Sequence, residues 1–178
     1  MNLRLANAVE NYLEKIEALY YHAFPEEERK PFAMLLEKEK QNNVEILAVT
    51  TVDGEFLGEA ITAMYEDMVL LDYFAMAPEC RGKGNGSLVL KGLQERYGEK
   101  RFFLEIERTG VPAPNAEQRI RRKKFYLSND MKLTECYVEV RGVEMEILTH
   151  DCSIEFEEYC SLYKNIYGKE IGNQIKRK

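Results

Sequence analysis

The chain has 178 residues, 45 % of them hydrophobic, with no break in composition, the size of one compact domain (1–178) with a core of its own. Its 31 acidic residues outnumber 25 basic ones for a formal charge of -6, the reverse of the basic excess that marks a general nucleic-acid binder. No stretch nears the ~20 consecutive apolar residues of a membrane span, and Met1-Asn2-Leu3-Arg4 opens no charged-then-apolar leader, so the expected location is cytoplasmic.

Asn2 to Ala6 reads as a short first strand. Glu10 to Phe24 carries Tyr12 or Leu13, Ile16, Leu19 or Tyr20 and Ala23 at helical spacing, and Pro25 ends it. A second helix is expected from Lys30 to Lys40, with Phe32, Leu35 and Leu36 inward. The period then changes. Val44 to Thr51 is β-branched and stops at Asp53-Gly54, a hairpin dipeptide. Phe56–Tyr65 and Met68–Met76 follow as strands around Glu66-Asp67. After the glycine-rich segment Arg81–Ser87 a helix runs to Tyr97, its apolar stripe Gly86, Leu90, Leu93 and Tyr97, with Lys91 and Glu95 in water.

Phe102–Glu107 is another strand. Asn115 is a suitable N-cap for a basic helix reaching Ser128. Lys132–Val140 and Val143–Thr149 form a hairpin around Arg141-Gly142. Glu155–Tyr167 is a last amphipathic helix, and the Lys-rich tail beyond Gly168 is expected to fray. This order describes a mixed α/β sheet, mostly antiparallel, with one central parallel pair made by a strand–loop–helix–strand crossover.

The sharpest local signal is Ala77-Pro78-Glu79-Cys80-Arg81-Gly82-Lys83-Gly84-Asn85-Gly86-Ser87, set between a strand and a helix. Glycines let backbone N–H groups point into one concavity, and the helix that follows adds unpaired donors and a positive dipole end. Together they suit phosphate or pyrophosphate. A P-loop would need Gly-Lys-Ser/Thr, and here Ser87 follows Gly86 without the lysine. A dinucleotide fingerprint would need glycine at position 87 and parallel strands leading in.

Leu71-Asp72-Tyr73-Phe74-Ala75-Met76-Ala77-Pro78 followed by Arg81-Gly82-Lys83-Gly84-Asn85-Gly86 resembles motif A of the GNAT superfamily of N-acyltransferases. Arg81, Gly84 and Gly86 fill its Arg/Gln-x-x-Gly-x-Gly/Ala pattern. Leu104-Glu105-Ile106 resembles the next family strand, Phe125-Tyr126 the aromatic pair on the following helix, and the element order agrees from Leu3 to Tyr167. Two departures are visible: Asn129-Asp130-Met131 stand where the family has Gly-Phe, and Thr109–Pro114 lengthens one connection. Both bear on the acceptor pocket more than on the fold.

The resemblance implies a GNAT-like α/β fold and an acyl-CoA co-substrate, acetyl-CoA above all, with no metal. Its pyrophosphate would rest on the amides of Gly82, Lys83, Gly84, Asn85, Gly86 and Ser87, beside the charge of Arg81. Pantetheine would pair with Phe74, Ala75 and Met76, and Asn115 matches a position that can touch the co-substrate. Tyr126 is the expected acid toward the leaving thiolate, with Arg122 and Lys123 at i−4 and i−3 placed to ease proton loss. Glu105 is the expected base, sharing a strand face with Glu107; Asp72 is a second choice, and the two glutamates could instead be solvated or pair with Arg101 or Arg108.

The implied reaction is direct transfer of an acetyl group to a primary amine on a small molecule or peptide. The alternative is an acyl-CoA-binding sensor without turnover. The run Arg119, Arg121, Arg122, Lys123, Lys124 spreads around its helix and reads as a solvated surface, so no nucleic-acid partner is expected. Glu26-Glu27-Glu28 could attract a cationic amine, although carboxylates also favour a helix's first turn. Cys80, Cys136, Cys152 and Cys160, with His22 and His150, lack paired zinc-ligand spacing and read as ordinary reduced thiols. The C-terminal hairpin offers strands that could pair across a homodimer.

Overall fold

The structure is a computed structural model in which residues 3–7 and 11–178 are described. In chain order the elements are β1 (Leu3–Asn7), α1 (Leu13–Ala23), α2 (Phe32–Lys40), β2 (Val44–Thr51), β3 (Phe56–Tyr65), β4 (Met68–Met76), α3 (Asn85–Arg96), β5 (Arg101–Glu107), α4 (Ala116–Leu127), β6 (Lys132–Val140), β7 (Val143–His150), α5 (Phe156–Ile166), α6 (Lys169–Gln174) and β8 (Lys176–Arg177). The expected starts at Asn2 and Glu10 lie outside the described residues. One eight-stranded sheet has the order β1-β2-β3-β4-β5-β7-β6-β8, antiparallel throughout except for the pair β4–β5. Residues group into two compact units, Met1–Met64 with Leu71–Arg96, and Tyr65–Leu70 with Tyr97–Lys178.

In the first unit, β1, β2 and β3 pair in a meander, with Ile46 opposite Ile61 and Ala48 opposite Glu59. Gly54 closes the Asp53-Gly54 turn at φ 85, a backbone state that costs glycine nothing. Ile16, Tyr20, Phe32, Leu35, Ile46 and Ile61 are fully or nearly fully buried. The connector between α1 and α2 is tied down by polar contacts inside this core. The Lys30 N–H donates to the Tyr20 and Tyr73 hydroxyls at 2.9 and 3.0 Å, and those hydroxyls donate onward to the carbonyls of Lys30 and Glu28.

In the second unit, β7 lies between β5 and β6, with Glu105 opposite Ile147 and Val138 opposite Met145. Arg141 and Gly142, both at positive φ, make the β6–β7 turn. Glu155 and Glu158 form a capping box that starts α5. The tail departs from expectation. Beyond Gly168, at φ 100, the chain forms α6 and then β8, which pairs with β6. Ile175 is buried, Lys176 and Lys178 reach Glu139, and the Arg177 guanidinium lies over the Phe156 ring. A reading limited to hydropathy saw only the lysines, whose partners are distant in sequence.

Candidate functional site

The glycine loop begins where β4 ends. Ala75 and Met76 are buried and Phe74 half-buried, and the Ala77 N–H donates to the Leu57 carbonyl at 2.9 Å. β3 and β4 approach so closely here that a Cβ on Gly58 would lie 2.4 Å from the Ala75 carbonyl oxygen. Only glycine fits at position 58, a residue that no sequence motif singled out. Pro78–Cys80 then form a single 3-10 turn. Arg81 does not simply project charge outward: its Nε donates to the Met76 carbonyl at 2.9 Å, bracing the loop against the strand. One of the carbonyls expected to pair with pantetheine therefore already accepts from the chain itself.

Gly82 and Gly84 have φ of 73 and 78, and nothing lies within 4 Å of where either Cβ would stand. Glycine is needed there for the backbone turn, and the space above it is open. Gly82, Lys83 and Gly84 are exposed, while Gly86 and Ser87 lie half-buried in the first turn of α3. The N–H groups of Asn85, Gly86 and Ser87 have no partner within a helix that starts at Asn85, and the dipole's positive end lies with them. Asn85 is itself buried, its Nδ2 within 3.4 Å of the Cys80 carbonyl. A concave run of amides with open space above it is suited to a pyrophosphate.

Asp72, the second choice of base, is occupied elsewhere. Lys30 Nζ donates to both its oxygens at 2.8 and 3.0 Å, and the side chains are 7 % and 2 % exposed. A carboxylate held on both oxygens in a buried ion pair is committed to that partner.

In the second unit, three carboxylates organise the other candidates. Glu105 accepts hydrogen bonds from the Tyr159 hydroxyl on Oε2 and from the Tyr163 hydroxyl on Oε1, the latter at 2.6 Å. Glu107, 3 % exposed, accepts from Asn115 Nδ2, Arg122 and Arg119, the last at 2.6 Å. Glu146 accepts from the Thr109 N–H and hydroxyl, each at 2.7 Å, and from Lys123 Nζ. Neither Arg101 nor Arg108 is the partner of Glu105 or Glu107. Arg101 binds Asp67 and Glu158, and Arg108 binds Glu144.

These contacts revise the reading of α4. Arg119, Arg122 and Lys123 are not a solvated basic surface; they neutralise two buried glutamates on β5 and β7. Asn115 occupies the N-cap position but makes no side-chain cap bond, because its amide bridges Glu107 and Arg119. A helical wheel cannot reveal acids on other strands.

Tyr126 sits on the inner side of α4, 7 % exposed. Among the described residues its hydroxyl has no hydrogen-bond partner. Burial pushes its phenol up to about 12, with Arg122 pulling weakly the other way. Lys123, the other cation expected to ease proton loss, is committed to Glu146. Desolvation is therefore the larger effect, and the phenol stays protonated throughout the ordinary pH range.

Sequence reasoning did not single out Tyr159 and Tyr163, although their i, i+4 spacing on an amphipathic helix puts both hydroxyls on one face. Among the described residues, no group of acids, cysteines and histidines could hold a metal ion, and no helix is long and apolar enough to cross a membrane.

Solved structures of low sequence identity share the fold. A chain from Bacteroides thetaiotaomicron assigned to the GNAT family is 20% identical with TM-score 0.74, covering 97% of this chain and 99% of its own. The ribosomal-protein-S18-alanine N-acetyltransferase of Escherichia coli is 18% identical with TM-score 0.61, covering 86% of this chain and 96% of that one. A GNAT family acetyltransferase from Elizabethkingia anophelis with acetyl-CoA bound is 12% identical with TM-score 0.57, covering 85% and 97%. No curated protein sequence gives a significant match. The sequence profile of the Acetyltransferase (GNAT) family matches residues 10–118, which span α1 to β4, the glycine loop, α3, β5 and the start of α4. The chain belongs to the GNAT family of acetyltransferases.

Proposed function

We propose that this protein transfers the acetyl group of acetyl-CoA directly to a primary amine of a small molecule or peptide. The observation that carries the reading is the loop Arg81–Ser87, where two glycines at positive φ open onto free space beside the first-turn amides of α3. These residues fit the pyrophosphate of a CoA, with Arg81 bracing the loop and Lys83 adding an exposed charge. The bound co-substrate supplies the activated thioester. Backbone amides of the loop hold it, and side chains move the protons.

In this reading Glu105 takes a proton from the substrate ammonium, directly or through a water, and the neutral amine then attacks the thioester. Tyr126 serves the leaving sulfur. A phenol near 12 keeps its proton in preference to a thiolate whose conjugate acid resembles cysteine, ~8.5. Its contribution is a hydrogen bond donated to the developing negative charge from a water-poor position, with the proton itself coming later from solvent. Asn115 keeps its backbone near the start of α4 while its side chain fixes Glu107.

The test is a screen of amines against acetyl-CoA with detection of released thiol, run beside a thermal-shift titration with acetyl-CoA and with CoA. Release that depends on an amine and is lost in Glu105→Gln supports the reading. Binding of acetyl-CoA without acetylation of any amine would point to a sensor instead, and no thermal response to either compound would overturn the assignment of the loop.

A further inference from the structure

Glu105 does not stand alone. Its two carboxylate oxygens each receive a phenol, and the two phenols come from adjacent turns of α5, a helix that begins more than fifty residues downstream. Both tyrosines are fully buried, while Glu105 is only half so. Their rings pack on one another with centroids 5.0 Å apart, and Tyr159 also packs edge-on against Phe103, two residues before Glu105 on the same face of β5. Burial and ring packing fix each hydroxyl to a single rotamer, so the donors are aimed before any ligand arrives.

We infer that Tyr159 and Tyr163 are positioning residues for the proton acceptor of this site: they clamp the Glu105 carboxylate in one orientation and hold it ionised. This rests on the reading that Glu105 takes the amine proton. The physical argument is that a phenol donor bonds a carboxylate more strongly than a carboxylic acid, since charge-assisted hydrogen bonds are about twice as strong as neutral ones. Two such donors offset the cost of withdrawing the carboxylate partly from water, and so keep a half-buried base ready at neutral pH. A carboxylate can accept about four hydrogen bonds, so two phenols leave the group its capacity as a base. No proton leaves either tyrosine: on accepting the amine proton, Glu105 becomes neutral and returns it to solvent when product departs. α5 thereby takes a catalytic duty in addition to its packing.

The experiment follows the Glu105 carboxyl itself. The 178-residue chain is labelled with carboxyl-13C glutamate, the resonance is assigned by its loss in Glu105→Gln, and its titration is compared with those of Tyr159→Phe and Tyr163→Phe. Phenylalanine keeps the ring and the packing, and a melting curve of each variant verifies the fold. Loss of one donor should raise the midpoint by about one pH unit, a tenfold gain in proton affinity. Where an amine from the screen is turned over, the acid limb of kcat/KM should rise by the same amount with acetyl-CoA binding unchanged. Midpoints that stay at the wild-type value in both folded variants would overturn the inference, since a space-filling role leaves the titration in place. Failure of the underlying reading looks different: Glu105→Gln would retain full turnover although the midpoints had moved.

Discussion

At the scale of single residues, Glu59 and Tyr126 are two buried acids with opposite prospects. Glu59 lies on β3, fully buried, with neither oxygen hydrogen-bonded among the described residues, and burial pushes its carboxyl up to about 9. It is therefore neutral in the fold at pH 7 and ionised in the unfolded chain, whose value is near 4.5. The unfolded state binds fewer protons over this window, so Glu59 costs stability as pH rises from about 4.5 to about 9. Glu59→Gln removes that dependence. Urea unfolding should find the variant gaining on wild type by roughly 1.4 kcal/mol per pH unit between pH 5 and 8; parallel profiles would mean that the carboxyl is solvated or paired. Tyr126 predicts a kinetic effect instead. Tyr126→Phe keeps the ring and removes the proposed donor to sulfur, so kcat should fall by ~10²–10³ with acetyl-CoA affinity nearly unchanged. A loss confined to KM would make the hydroxyl a binding group only.

At the scale of elements, the glycine loop and α4 show how differently two motifs depend on their surroundings. Gly84 is constrained by its own backbone, since φ of 78 is a region that β-branched residues avoid. Gly84→Val must distort the turn and move the first amides of α3, at a cost of ~1–3 kcal/mol if the turn is kept. The expected outcome is loss of the thermal shift with acetyl-CoA while the protein still melts cooperatively. An unchanged shift would show that the ligand does not use these amides. The role of α4 comes from its partners. Its arginines and lysine look alike on a helical wheel, yet Arg119, Arg122 and Lys123 close onto Glu107 and Glu146, which leaves Arg121 and Lys124 as the members of that run with no such buried acid.

At the scale of the whole molecule, the fold predicts its own response to ligand. A compound that binds the folded chain and not the unfolded one stabilises it by ~2.7 kcal/mol at a hundredfold excess over Kd. For a chain of this size that corresponds to a rise in Tm of roughly 5–10 °C. Acetyl-CoA and free CoA should both produce it, because the amides of the loop would meet the pyrophosphate, a part the two share. Adenine nucleotides lacking pantetheine should give less. Equal shifts with simple phosphate would assign the loop to anions in general.

Much of this architecture could be read before any coordinates. β2, β3 and β4 fall on the expected residues, because alternation and β-branching are local and Asp53-Gly54 and Glu66-Asp67 mark the turns between them. The glycine loop was legible for the same reason: positive φ at Gly82 and Gly84 is written in the residue type. The sequence alone thus determined the elements up to α5, the family resemblance and the positive-φ turn of the glycine loop. Tertiary structure decided the rest. Whether a carboxylate is a base, a structural anion or a neutral acid depends on what faces it. Asp72 met Lys30, Glu107 met two arginines, Glu105 met two tyrosines, and Glu59 met no donor among the described residues. These partners lie between 12 and 58 residues away along the chain. The energy of an ionised group is set by its surroundings through space, and chain order does not record them.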